Sequence, residues 1–202
     1  MARCIIENHE RFERIADMSE QVTALRPPGL TTTDKLRMLL DITKKISRSL
    51  DLQEVLNLVM DTLGSLIPYD AAGIFVLKPV DSAVGEVEAP RVFKAEAVRG
   101  YDIDELTGLH LKMGEGLLGQ VALTAEPIIS PDVRKNPVYI NARGETRSEM
   151  VAPIIANTEV IGAFDLESDE LNAYSDDDLQ VLLLLASQVA IIIEKDQLYE
   201  QL

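Results

Sequence analysis

The sequence predicts an α+β fold, and three observations carry that prediction. Apolar residues recur at helical spacings of three and four near both ends of the chain. Short runs rich in β-branched residues fill the middle. Proline and glycine separate the two kinds of pattern.

Residues 3–26 read as a helical arm. Ile15, Met18, Val22 and Leu25 make an apolar stripe about two heptads long, which suits either a dimer seam or a helix lying on its own domain. Pro27-Pro28-Gly29 stops that helix, so residues 27–33 read as a linker and 34–202 as the main domain. A second helix is expected from Asp34 to about Ser49, with Leu36, Leu39, Leu40, Thr43 and Ile46 on one side. A third starts at Asp51. Asp51 with Glu54 forms a capping box, Leu50 with Val55 the matching staple, and Pro68 ends the helix near Leu66.

The period then changes. Ala71–Lys78 and Arg91–Arg99 read as strands, joined by a loop holding Pro79, Gly85 and Pro90. Leu109–Met113 reads as a short strand, Gly116–Ala125 as a short helix and Pro127–Ser130 as another strand. Asp132–Arg147 is polar and has no clear period; a loop of that length in a compact domain is commonly functional. Met150–Ala156 and Glu159–Glu167 form a hairpin across Asn157-Thr158. The last helix opens at Ser175, where Ser175 and Asp178 form a second capping box and Tyr174 and Leu179 a second staple. Leu182, Leu185, Val189, Ile192 and Tyr199 give it one apolar side to about Leu202. It carries no stop signal, so it reads either as truncated or as a helix expected to continue into a following segment.

The chain has 202 residues and 22.3 kDa, enough for one domain with extensions or two small ones. Its formal net charge of −15 argues against nucleic-acid binding and against docking on anionic membranes, both of which need clustered Lys and Arg. Cys4 is the single cysteine, so no internal disulfide forms. The longest apolar run, Val181–Ile193, is about 13 residues and falls short of the roughly 20 a spanning helix needs. No signal-peptide pattern opens the chain. The expected location is the cytoplasm.

Several motifs point to chemistry and fail on inspection. Gly114-Glu115-Gly116-Leu117-Leu118-Gly119 matches a dinucleotide fingerprint, but Glu115 would repel a phosphate and no acidic ribose partner follows at the right distance. A tight turn opening a short packed helix explains it. Asp165-Leu166-Glu167-Ser168-Asp169 resembles the start of a calcium loop, but position six is Glu170 and position twelve Asp176. It reads as a strand end and turn. His9 and His110 give no zinc spacing, and His110 reads as a packing residue. Asp176-Asp177-Asp178 suits the first turn of a helix. No catalytic constellation remains, no metal site is expected, and no cofactor can be named.

From Asp34 onward the chain resembles the GAF domain family of sensor and dimerisation modules. The resemblance lies in Leu50-Asp51-Leu52-Gln53-Glu54-Val55-Leu56, the Gly114–Ala122 stretch and Pro127-Ile128-Ile129-Ser130-Pro131-Asp132-Val133. It continues in Arg147–Ile154, Val160–Ser168 and Tyr174–Leu179. What it implies is a GAF-like, PAS-related central antiparallel sheet of five or six strands. Terminal helices would pack on one face, and a pocket roofed by short helices and loops would lie on the other. The cyclic-nucleotide branch carries Asn-Lys, Phe and Asp-Glu where this chain has Ser168-Asp169, Tyr174 and Asp178-Leu179. The methionine-sulfoxide reductase branch needs several cysteines in the domain, and bilin-binding branches attach chromophore through one.

The resulting expectation is a non-catalytic signalling module that senses a small molecule, dimerises, or both, and relays to a C-terminal effector. GAF domains preceding bacterial phosphatases, histidine kinases or cyclases are the nearest pattern, the phosphatase context slightly preferred. The alternatives are a cyclic-nucleotide-binding domain, a pocket enzyme of the same fold, or a scaffold that only dimerises. The expected partner is a second copy, paired in parallel through residues 3–26 and 176–202. Any ligand should sit between the sheet and the Asp132–Arg147 loop. Asp132, Tyr139, Asn141 and Arg147 are the polar candidates there, and Phe75, Met150 and Phe164 the apolar ones. Arg147 either pairs with Glu145 or Glu149 or awaits an anionic ligand group. Because side chains alternate along a strand, Phe75 and Phe164 have the terminal helices as their other destination.

Overall fold

The computed structural model describes residues 37, 40, 51–79, 91–102 and 111–200, with side chains to 196. The chain divides into two units, 1–36 and 37–202, and every described residue belongs to the second. The helical arm, the linker, Cys4, both histidines and most of the expected 34–49 helix lie outside the described residues, as does the side chain of Tyr199. Arg37 and Leu40 are helical.

Helix α1 runs Leu52–Leu66. The Asp51 carboxylate accepts from the backbone N–H of Gln53 (2.8 Å) and of Glu54 (3.2 Å), which satisfies two donors that have no partner within the helix. Val55, Leu56, Val59, Met60, Leu63 and Leu66 are buried along one side. Ile67 leaves the helix in extended conformation just before Pro68.

The strands are β1 (Ala71–Pro79), β2 (Arg91–Arg99), β3 (Ile128–Ser130), β4 (Ser148–Ala156) and β5 (Glu159–Ser168). They form one five-stranded antiparallel sheet in the order β2-β1-β5-β4-β3. The β4–β5 hairpin turns at Asn157 and Thr158, whose φ values of 48° and 73° are the positive pair that a two-residue hairpin turn requires. Of the expected Leu109–Met113 strand, the described part contributes a single bridge, Lys112 to Val92.

Helix α2 spans Gly116–Thr124, and helix α3 spans Asp176–Glu200. Gly119 lets α2 press onto the turn before it, since a Cβ there would lie 2.4 Å from the Lys112 carbonyl oxygen. Glu115 accepts from the Lys112 N–H instead of facing a phosphate cradle. The glycine motif is therefore packing. At α3 the capping box is reciprocal: Ser175 N–H donates to Asp178 Oδ2 (3.0 Å), and Asp178 N–H donates to Ser175 Oγ (3.3 Å).

Paired residues in an antiparallel sheet share a face, so the register sorts the side chains. Ile74, Phe164 and Ala152 are one cross-strand row; Ala72, Leu166 and Met150 are the next. Both rows are buried against α1 and α3, where Leu182, Leu185 and Val189 complete the main core. The opposite face carries Phe75, Leu77, Val151 and Ala163 and packs against Leu117, Leu118 and Val121 of α2.

Candidate functional site

The α2 face changes character toward one end of β4 and β5. Glu149 and Glu167 are directly paired across those strands, and Asp165 stands two residues from Glu167 on the same face. All three carboxyls are buried, with exposures of 4%, 3% and 4% for Glu149, Glu167 and Asp165. Like charges directly opposite one another destabilise a sheet, and an unpaired buried charge is costlier still. The hydrogen bonds around them are few. Tyr101 Oη lies 3.0 Å from Glu167 Oε1 and 3.2 Å from Asp165 Oδ2, but one hydroxyl proton serves only one acceptor at a time. Thr146 Oγ1 donates to Glu167 Oε2. Glu149 lies close enough to Asp165 to feel its charge. Asp165 Oδ1 is buried without a partner.

The carboxyls form the floor of a narrow pocket. Phe75 and Tyr101 stand at one side, ring edge to ring face at 6.2 Å. Gly116 and Leu117 of α2 form another wall, and Tyr139, Ile140 and Ala142 the roof. Gly73, paired with Asp165, leaves room for the Phe75 ring; a Cβ there would come within 2.4 Å of it. The free space out to the mouth is about 380 Å³, but the interior holds only about 20 Å³ for water-sized occupants. That interior suits one small polar group.

Burial raises the pKa of Glu149, and the neighbouring charges of Asp165 and Glu167 raise it further. Asp165 is raised well above the ordinary range by burial and then by Glu167, against a hydrogen bond from Tyr101 that favours its ionised form. Glu167 is raised by burial, against hydrogen bonds from Thr146 and Tyr101. Arg143, whose charge favours the ionised form of Glu167, is already engaged by both oxygens of Asp169 at 2.5 and 3.3 Å. No cationic side chain among the described residues lines the pocket. Among the described residues, no cluster of His, Cys, Asp or Glu is arranged to hold a metal ion.

The structure distributes the sequence candidates over four places. Phe75 and Tyr139 line the pocket, and the Tyr139 hydroxyl donates to Asn141 Oδ1 at 3.3 Å, at the exposed rim. Asp132 lies away from it, beside an open groove along β3, where it caps a short 3-10 helix (Val133–Lys135) and pairs with Lys135 at 3.1 Å. Arg147 is a backbone tie. Its N–H donates to the Ser168 carbonyl (2.8 Å) and its carbonyl accepts from Val133 N–H (2.9 Å). Its Nε is buried without a partner, so neither Glu145 nor Glu149 holds that atom. Met150 and Phe164 lie on the opposite face, fully buried in the α1–α3 core. Phe164 thus takes its other expected destination, the terminal helices, and Met150, expected in the pocket, joins it there, since a one-residue step moves a side chain to the other face. The residues at the correct parity are Glu149 and Asp165, and sequence reasoning missed them. Their signal was acidic residues inside otherwise apolar strands: Glu149 alone in Ser148–Ile154, and Asp165 and Glu167 at alternate positions in Ala163–Glu167.

With the geometry in hand, comparison with known proteins is informative. Residues 49–194 match the family model for the GAF domain, and the chain belongs to that family. It is 36% identical over 80 residues to free methionine-R-sulfoxide reductase of Saccharomyces cerevisiae, covering 39% of this chain and 44% of that one. It is 26% identical over 149 residues to the Nif-specific regulatory protein of Azospirillum lipoferum, covering 69% of this chain and 22% of the regulator. The GAF domain of a phosphoenolpyruvate-protein phosphotransferase from Coxiella burnetii superposes with a TM-score of 0.71 at 24% identity, covering 86% of this chain and all of that one, which establishes the fold. The chain spans half or less of the length of the curated relatives it matches. Regulatory proteins and an enzyme are thus both among its relatives. Among the described residues, no helix is long and apolar enough to cross a membrane.

Proposed function

We propose that this chain is a non-catalytic regulatory module that binds a small ligand through a positively charged nitrogen. The observation that supports it is the trio Glu149, Asp165 and Glu167, buried at the floor of a pocket whose walls, among the described residues, carry no cation. An ammonium group offers three donors and one positive charge, which answers both the unpartnered Asp165 Oδ1 and the surplus of negative charge. A free amino acid fits that description, and one relative is named for acting on free methionine sulfoxide. An extended ligand would reach past Tyr139 and Ile140 toward the mouth.

Binding is read out by the end of β5, because Glu167 is followed directly by the turn that leads into α3. Leu184 and Ile191 of α3 are 52% and 58% exposed and stand one heptad apart, as a seam with a second copy would need. In this reading the chain pairs in parallel through residues 3–26 and 176–202, works in the cytoplasm and passes its signal to a C-terminal effector. A thermal-shift series tests the ligand class. L-Methionine, L-methionine sulfoxide or ethylammonium should raise the melting temperature, and Asp165→Asn should abolish the rise. Stabilisation by cyclic AMP or cyclic GMP alone would reject the cationic reading in favour of the cyclic-nucleotide branch.

A second reading, a methionine-sulfoxide reductase, is favoured by the identity to the yeast enzyme. Against it, residues 49–194 contain no cysteine to supply a thiolate. Formation of methionine from free methionine sulfoxide with dithiothreitol as reductant would establish that reading and overturn the non-catalytic one.

A further inference from the structure

We propose that the pocket exchanges a proton for its ligand: in the empty protein the Glu149–Asp165–Glu167 cluster keeps a proton at neutral pH, and the incoming ammonium group expels it. This regulation rests on the cationic-ligand reading above.

Three carboxyls present six oxygens, and two hydroxyls, Tyr101 and Thr146, donate to them. Asp165 Oδ1 is buried with no donor at all, so the two hydroxyl protons leave the cluster short. Glu149 and Glu167 face each other directly across the strands, so ionising the whole cluster would oppose like charges in a buried place.

Among the described residues, nothing on the surrounding elements relieves this. β1 contributes Phe75 and α2 contributes Gly116, Leu117 and Leu118, none of which titrates. The segment after β2 contributes Tyr101 and the roof Tyr139, both neutral donors whose own ionisation burial suppresses. Arg143 is the cation nearest Glu167 in effect, and it is held by Asp169, whose charge opposes it there. From the side of the turn into α3, Tyr174 is buried and neutral, with its ionisation pushed up by burial and then by Asp165 and Asp70. The cluster therefore neutralises itself by keeping a proton, as buried carboxyls without a cation do.

The exchange balances simply. The ligand enters as an ammonium ion, the cluster's proton leaves to solvent, and the ammonium N–H groups take over the hydrogen bonds that the proton had supplied. No covalent bond forms or breaks. One proton released per ligand makes affinity rise about tenfold per pH unit between the ordinary carboxylate range and the raised range of the cluster. Acidification then empties the site at constant ligand concentration, so the module reports the ligand and the pH together.

The carboxyl carbons of the full chain, followed by 13C NMR across an alkaline-to-acid titration, test this directly. The expected result is at least one carboxyl that still carries its proton at neutral pH and that disappears from the spectrum in Glu149→Gln or Asp165→Asn. A cluster fully ionised before neutrality is reached overturns the proposal, and this measurement on the wild type does not depend on the variants folding. The titration is repeated with ethylammonium chloride, with L-methionine and with sodium chloride as control. The first or second should lower the cluster's midpoint by about one pH unit or more, and the third should leave it in place. Stabilisation by a probe in the thermal-shift series with no change in midpoint overturns the exchange and leaves the cationic reading standing. A midpoint indifferent to every probe, with no stabilisation, overturns both.

Discussion

The two faces of this sheet are made by the same strands and have been put to opposite uses. On the α1–α3 face, Ile74, Met150, Ile154, Phe164 and Leu166 are each fully buried and carry no polar side-chain atom, apart from the thioether of Met150. On the α2 face the apolar set Phe75, Leu77, Val151 and Ala163 gives way to three buried carboxyls. The first arrangement maximises apolar burial at roughly 25 cal/mol per Å². The second gives up stability locally, since it buries like charges side by side. The contrast separates a face that holds the domain together from one that gives up apolar burial for carboxyls.

The sharpest way to break this contrast is to truncate one side chain on each face. Phe164→Ala should cost about 3–5 kcal/mol, because it leaves a cavity where α1, α3 and the sheet meet. Urea unfolding checks it, and a loss comparable to a surface substitution would show that the helix face is not the main core.

Glu149→Gln should act in the other direction, and only above the acid range. Burial raises the carboxyl's folded-state pKa above the value of about 4 it has in the unfolded chain. Between those two values the folded state holds more protons than the unfolded one, so its stability falls as pH rises. The amide cannot ionise and escapes that fall. The variant should match wild type in acid and exceed it by on the order of 1 kcal/mol in mildly alkaline solution. Melting curves at several pH values check this. A wild type whose stability climbs steadily from acid to alkaline pH would show instead that the cluster is stabilised as carboxylates.

The smallest effect belongs to the rim. Arg143→Gln removes the clamp on Asp169, a pair with side chains 18% and 42% exposed, and should change stability by only about 0–1 kcal/mol. A loss well beyond that, seen in the same melting experiment, would place Arg143 with the structural face and not with the pocket's edge.

The legibility of this molecule divides by distance along the chain. The caps at Asp51 and Ser175 were readable because a capping box is complete within four residues. The hairpin at Asn157-Thr158 and the end of α1 before Pro68 were readable for the same reason. The sheet with helices on one face and a roofed pocket on the other followed from the family resemblance. The content of that pocket did not. Glu149 and Glu167 are eighteen positions apart; Glu149 read as a possible partner of Arg147, and Glu167 as part of a strand end and turn. Asp165 looked like part of a failed calcium loop, and Met150 and Phe164 looked like pocket walls because they are large and apolar.

By itself the sequence marked, to within a residue or two, the helices α1, α2 and α3 and the five strands of the described residues. Those properties depend on neighbours within a turn or two, so they are written locally. Only the tertiary structure decided which parity of each strand faces α2, and that Glu149, Asp165 and Glu167 converge behind Tyr101 and Thr146. The reason is physical. A carboxyl's chemistry is set by the dielectric and the charges around it, and both are supplied here by strands, a helix and a loop that meet only when the chain is folded.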